Sequence, residues 1–71
     1  MIDAMFVAAL QANFSNNDIE TLDEMTLLVD GTPFVPSRWV NEIGMYLQLT
    51  PGLQAQVLND ITSDIIVFMN R

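Results

Sequence analysis

The sequence predicts an α+β fold, mainly helical, and two observations carry that expectation. Apolar residues recur at the three-and-four spacing of an amphipathic helix in the first and last stretches of the chain, and Asp30-Gly31 stands as a tight-turn signal between two short β-prone runs. The expected order is an N-terminal helix, a short acidic turn or helix, a small β-hairpin, then two C-terminal helices packed as a corner or antiparallel pair. All of it is expected to form one small domain over residues 1–71.

The N-terminal helix rests on Ile2, Met5, Phe6, Ala9, Leu10 and Phe14, which share one helical face. Ala4, Ala8 and Ala12 fall on the other side as a smooth ridge, explained either by the helix propensity of alanine or by self-association. Ser15, Asn16 and Asn17 end the helix, because their short polar side chains compete for local backbone hydrogen bonds. Asp18, Glu20, Asp23 and Glu24 follow within seven residues, with Ile19, Leu22 and Met25 at spacing three between them. That spacing suits a short amphipathic helix whose acids favour the positive end of its dipole, although periodicity alone leaves residues 17–25 open between helix and loop.

Thr26 to Val29 and Phe34-Val35 are the arms of the expected hairpin, and Pro33 and Pro36 confine the second arm to a sheet edge. Pro36-Ser37 then opens a helix with Trp39, Val40, Ile43, Tyr46 and Leu47 on one face, Gly44 permitting close approach, and Arg38 one turn from Glu42 as an ion-pair partner. Met45 and Leu49 lie off that face and are expected at the surface. The last helix has the clearest start: Thr50 can cap it and Pro51 at the first helical position loses no needed donor. Leu53, Val57, Leu58, Ile61, Ile65, Phe68 and Met69 form its core stripe. Ile66 and Val67 project away from the stripe, so the final turns are apolar nearly all round and need a cover from this chain, a second copy or another protein. The run Ile65 to Met69 could be a strand by propensity, and helix is preferred because no turn residue precedes it.

Composition narrows function. The chain has 71 residues, no Cys and no His, and 51% hydrophobic residues. A body this small buries only about 60% of its unfolded surface, so the apolar excess implies exposed apolar patches. Without cysteine nothing suggests a disulfide-rich secreted scaffold, and no basic segment precedes the N-terminal apolar run as in a secretory leader, so a cytoplasmic location is expected, the host cytoplasm if the protein is phage-encoded. No uncharged run is long enough to span a membrane.

Nine acids stand against Arg38 and Arg71, for a net charge of −7. Phosphate binding needs Lys and Arg, so neither nucleic acid nor an anionic membrane is an expected partner; the natural complement is a basic protein surface. Histidine-assisted nucleophilic catalysis and thiolate metal sites are excluded by composition. The acidic stretch lacks the ligand pattern of an EF-hand, the glycines are too dispersed for a phosphate loop, and the Asp-Ser-Leu motif of a phosphopantetheine carrier is missing. No cofactor, metal or enzymatic activity is expected.

The function expected from these features is a non-enzymatic acidic protein-binding module. A phage or mobile-element inhibitor that blocks a basic surface of a larger protein fits; mimicry of DNA against a nucleic-acid-binding surface is its stronger form, although the acids are less dense than in a strict DNA mimic. The candidate contacts are Asp18, Glu20, Asp23, Glu24, Asp60 and Asp64 for charge, and Met45, Leu49, Ile66 and Val67 as apolar anchors. The alternative is a homo-oligomeric structural or assembly protein, a homodimer in its simplest form, that buries the alanine ridge and the C-terminal turns against copies of itself.

Overall fold

Asp3 begins the first helix: its carboxylate accepts the Met5 N–H at 2.7 Å, and helix α1 follows over Ala4–Asn13. The computed structural model describes all 71 residues, and it combines α1 with a three-stranded antiparallel sheet and one long C-terminal helix. Strands β1 (Ile19–Thr21), β2 (Leu27–Val29) and β3 (Thr32–Phe34) lie in the order β1-β2-β3. Helix α2 runs over Pro51–Met69. The mixed α+β class therefore holds, with less helix and more sheet than periodicity suggested.

The hairpin forms where expected. Asp30 and Gly31 both adopt positive φ, 51° and 83°, as a two-residue type I′ turn requires, and Val29 pairs with Thr32 across it. Pro33 lies opposite Leu28 at a non-hydrogen-bonded position of this register, so its missing N–H faces the open edge and the ladder to β2 is intact.

The acidic stretch departs from expectation, because Ile19–Thr21 is a strand and not a helical turn. Ile19 pairs with Val29, Glu20 with Leu28 and Thr21 with Leu27. The spacing-three apolar set has another use here: Ile19 enters the core while Leu22 remains exposed in the β1–β2 loop. That loop closes on the Leu22 N–H to Thr26 carbonyl bond at 2.9 Å, and Asp23 accepts the Met25 N–H at 3.0 Å.

A second correction concerns residues 36–49, expected as a helix. They form an irregular segment followed by two single 3₁₀ turns, Glu42–Gly44 and Tyr46–Gln48, so no helix pair meets at Thr50. Trp39 sits at φ 59°, a left-handed conformation that no α-helix admits. Holding a side chain there costs about 1–2 kcal/mol. The cost is offset by long-range contacts: the half-buried indole packs against the core, and its Nε1–H donates to Asp60 at 2.8 Å. Gly44 does serve a close approach, but to the N-terminal segment. A Cβ there would stand 2.7 Å from the Met1 carbonyl oxygen, beside the Asp3 N–H to Ile43 carbonyl bond at 2.9 Å.

Thr50 caps α2 by accepting the Leu53 N–H at 3.3 Å, with Pro51 at the first helical position. The helix continues through Ile65, Ile66 and Val67 to Met69, which decides that run for helix over strand. Val57, Ile61 and Ile65, one turn apart, are fully buried. They meet Phe6 and Leu10 of α1, Ile19, Leu27, Val29 and Phe34 of the sheet, and Ile43 of the irregular segment in one cluster of 13 buried apolar residues. Burial of each larger side chain contributes about 1.5–3 kcal/mol. Edge-to-face pairs join the elements, Phe6 with Tyr46 at 5.3 Å and Phe34 with Phe68 at 5.1 Å. Gln54 and Asn13 add polar ties, to the Tyr46 carbonyl at 2.8 Å and the Thr62 hydroxyl at 3.2 Å. No helix is long and apolar enough to cross a membrane.

Candidate protein-interaction surface

Strand pairing places Asp18, Glu20, Asp23 and Glu24, the acids of the hairpin that β1 forms with β2. Asp18 lies at the foot of β1, where its N–H donates to Asp30 Oδ1 and its carbonyl accepts the Asp30 N–H, both at 2.9 Å. Its own carboxylate stays exposed. Glu20 alternates with buried Ile19 and therefore projects from the outer face of the sheet, opposite Leu28. Asp23 and Glu24 form the exposed loop beyond β1. The Met25 N–H, then the Thr26 hydroxyl and N–H, hold the Asp23 carboxyl below the ordinary carboxylate range, so it is charged at neutral pH. The Asp18 N–H and the Asn17 amide do the same for Asp30.

Asp60 and Asp64 belong to a different arrangement. Arg38 donates to both Asp64 carboxylate oxygens, from Nε and Nη2 at 2.9 Å each, and from Nη2 to the Asp60 carbonyl at 3.2 Å. The Arg38 and Asp60 side chains approach to 3.8 Å. This bidentate hold raises the already high pKa of the guanidinium further. The expected Arg38–Glu42 pair is not formed, because the segment carrying both is not helical.

Those are the only ion pairs in the molecule, so seven of its nine acids have no cation beside them. The hairpin acids thus form an uncompensated negative edge, and Arg71 is the one cationic side chain left unpaired. The acids do not converge: no three are placed to share a metal ion.

The apolar candidates separate as well. Met45 is exposed between the 3₁₀ turns, whereas Leu49, expected at the surface, is half-buried because the second 3₁₀ turn folds it onto the core. Ile66 and Val67 remain 44% and 59% exposed, so no element of this chain covers them fully. Val67 lines an open groove of roughly 320 Å³ with Pro33, Val35, Phe68 and Arg71, so it shares a surface with β3.

The periodicity missed the outer face of the sheet. The sequence places Leu22 on a short helix and Leu28, Pro33 and Val35 in a hairpin with no outer face assigned, yet the pleat sends Leu28 and Pro33 away from the core, and leaves Leu22 and Val35 largely exposed. The signal lay in Leu27-Leu28-Val29: three consecutive apolar residues mark a strand that is apolar on both faces, where a half-buried strand alternates. No protein-family model, no curated protein and no solved structure matches this chain.

Proposed function

We propose that the protein is a non-enzymatic acidic binding module that docks on a cationic surface of a larger protein, as an inhibitor or adaptor. The observation that supports this reading is the uncompensated hairpin edge: Asp18, Glu20, Asp23 and Glu24 are exposed without a cation, while Arg38 is spent on Asp60 and Asp64. Such an edge steers a cationic partner and sets the orientation of docking, and its contribution falls as salt rises. Asp60 and Asp64 then act indirectly, by fixing the segment around Arg38 and Trp39.

The test is capture from a cell extract with wild-type bait and with bait in which the four hairpin acids are replaced by lysine. Wild type is expected to retain a cationic protein at low salt and release it at high salt, and the reversed bait is expected to lose it. An unchanged set of retained proteins would overturn the electrostatic reading.

A homo-oligomer is the second reading, supported by the exposed side of α1 that carries Ala4, Ala8 and Ala12 and by exposed Ile66. It requires a mass above that of the 8.0 kDa chain in sedimentation, reduced by Ile66→Asp. Charge opposes it, since each copy carries −7.

A further inference from the structure

Only one face of the sheet is used by the core. The cluster that contains α1 and α2 takes Ile19, Leu27, Val29 and Phe34 from the inner face and no residue from the other, where Glu20 and Pro33 are exposed and Leu28 is half-buried. On that outer face the register sets Glu20, Leu28 and Pro33 in one cross-strand row. Continuing the pleat places Leu22 and Val35 in the next row, 51% and 61% exposed. Beyond β3 the surface enters the groove shared by Val35 and Val67. A largely apolar strip, interrupted by Thr26 between Leu22 and Val35, therefore runs from the β1–β2 loop across the sheet to a groove at the end of α2 that Ser37, Asp64 and Arg71 also line, with Glu20 and Glu24 at its acidic end and Arg71 at the other.

The choice of occupant follows from charge and from the sheet edges. A second copy would bring another net charge of −7 and set the same acidic face, Glu20 and Glu24 included, against itself. An added strand finds little purchase: Pro33 has no N–H to offer along β3, and Gln11 Nε2–H already occupies the Ile19 carbonyl of β1 at 2.9 Å. A helix laid across the face needs no backbone pairing, only an apolar stripe and cationic flanks.

We propose that the outer sheet face, from Leu22 through Leu28 to the Val35–Val67 groove, receives a cationic amphipathic helix of the partner protein. Its apolar stripe covers these four residues and its Lys or Arg side chains meet Glu20 and Glu24. This rests on the acidic-module reading and adds to it the face and the form of the partner.

The probes are synthetic amphipathic helical peptides with the same leucine stripe and Lys, Gln or Glu on the polar side, titrated into ¹⁵N-labelled protein. The Lys peptide is expected to shift the amide resonances of Glu20, Leu22, Leu28, Val35 and Val67, the Gln peptide to bind more weakly, and the Glu peptide not to bind. Val35→Asp, at an exposed site, is expected to weaken the Lys peptide about tenfold, as loss of an apolar anchor does. Glu20→Lys is expected to weaken it and flatten its salt dependence. Lys-peptide shifts confined to other surfaces, with Val35→Asp neutral, overturn the docking face while the acidic-module reading survives. Absence of Lys-peptide binding overturns the proposal, and the capture experiment then decides the broader reading separately. Shifts of the same face with protein concentration alone overturn it in favour of a second copy.

Discussion

Arg38 and Asp64 lie 26 residues apart in the chain and meet through two parallel hydrogen bonds of 2.9 Å. Together with the Trp39 indole on Asp60, this fork fastens the irregular segment after the sheet to the side of α2. The segment has no regular secondary structure before Glu42, so its position depends on such side-chain bonds.

Removing the fork is therefore expected to loosen residues 36–40 without unfolding the core. Asp64→Asn keeps the shape of the side chain but removes the charge and one acceptor. Trp39 is the only tryptophan, so its emission reports the segment directly. A red shift with unchanged far-ultraviolet circular dichroism is expected; an unshifted spectrum shows that the core contacts of Trp39 hold the segment alone.

Gly44 gives a sharper steric test. A Cβ would meet the Met1 carbonyl oxygen at 2.7 Å, and that neighbour is backbone, which cannot swing aside as a flexible side chain can. Gly44→Ala is expected to cost about 1–3 kcal/mol, the range for forcing extra volume into a packed site. Urea unfolding measures it. Amide exchange at Asp3, whose N–H donates to the Ile43 carbonyl, should quicken if the N-terminal segment is what yields.

Both helices are legible as elements because their start signals and spacing are local, although the buried face of α1 differs from the expected one: Met5 is exposed and Val7 is buried beside Phe6 and Leu10. Thr50 and Pro51 start α2 with a cap that needs no distant partner, and the four-residue spacing of Val57, Ile61 and Ile65 marks its buried side. The Asp30-Gly31 turn was legible for the same reason: two positive φ angles demand those residue types. Where the reading failed, distant groups decide. Ile19 is a strand residue because Val29 lies opposite it, and three residues are too few for alternation to outweigh a spacing-three pattern. Trp39 leaves the helical region because Asp60, on another element, holds its indole. The hairpin acids of the candidate surface could be named from charge alone, whereas its apolar strip could not, since it requires knowing which side of the sheet the helices cover.

Ile61 tests the shared core. It is fully buried in the middle of α2, within the cluster that includes both helices and the sheet. Ile61→Ala is expected to cost about 2–5 kcal/mol. For a chain of this length that is a large share of its stability, at roughly 0.05–0.15 kcal/mol per residue. Denaturant unfolding is expected to show a single transition with a much lower midpoint; separate loss of sheet and helix signals shows that the core is not cooperative.

Asp30 contributes to the loss of stability in acid. Its carboxyl is held below the ordinary range first by the Asp18 N–H and then by the Asn17 amide, so the folded state favours the charged form. The unfolded chain binds a proton more readily, near the ordinary Asp pKa of about 3.9. The stabilisation is thus fully present above that pH and is lost as pH falls through the lower folded value. Asp23 contributes in the same direction through the Met25 N–H. Asn at position 30 tolerates the left-handed φ of 51°, so Asp30→Asn keeps the turn while removing the charge and one of two acceptors. The variant is expected to unfold at lower urea than wild type at neutral pH, and the gap is expected to close below about pH 4 as the wild-type carboxylate takes up its proton. A gap that persists unchanged in acid would assign the effect to turn geometry instead, since geometry does not titrate.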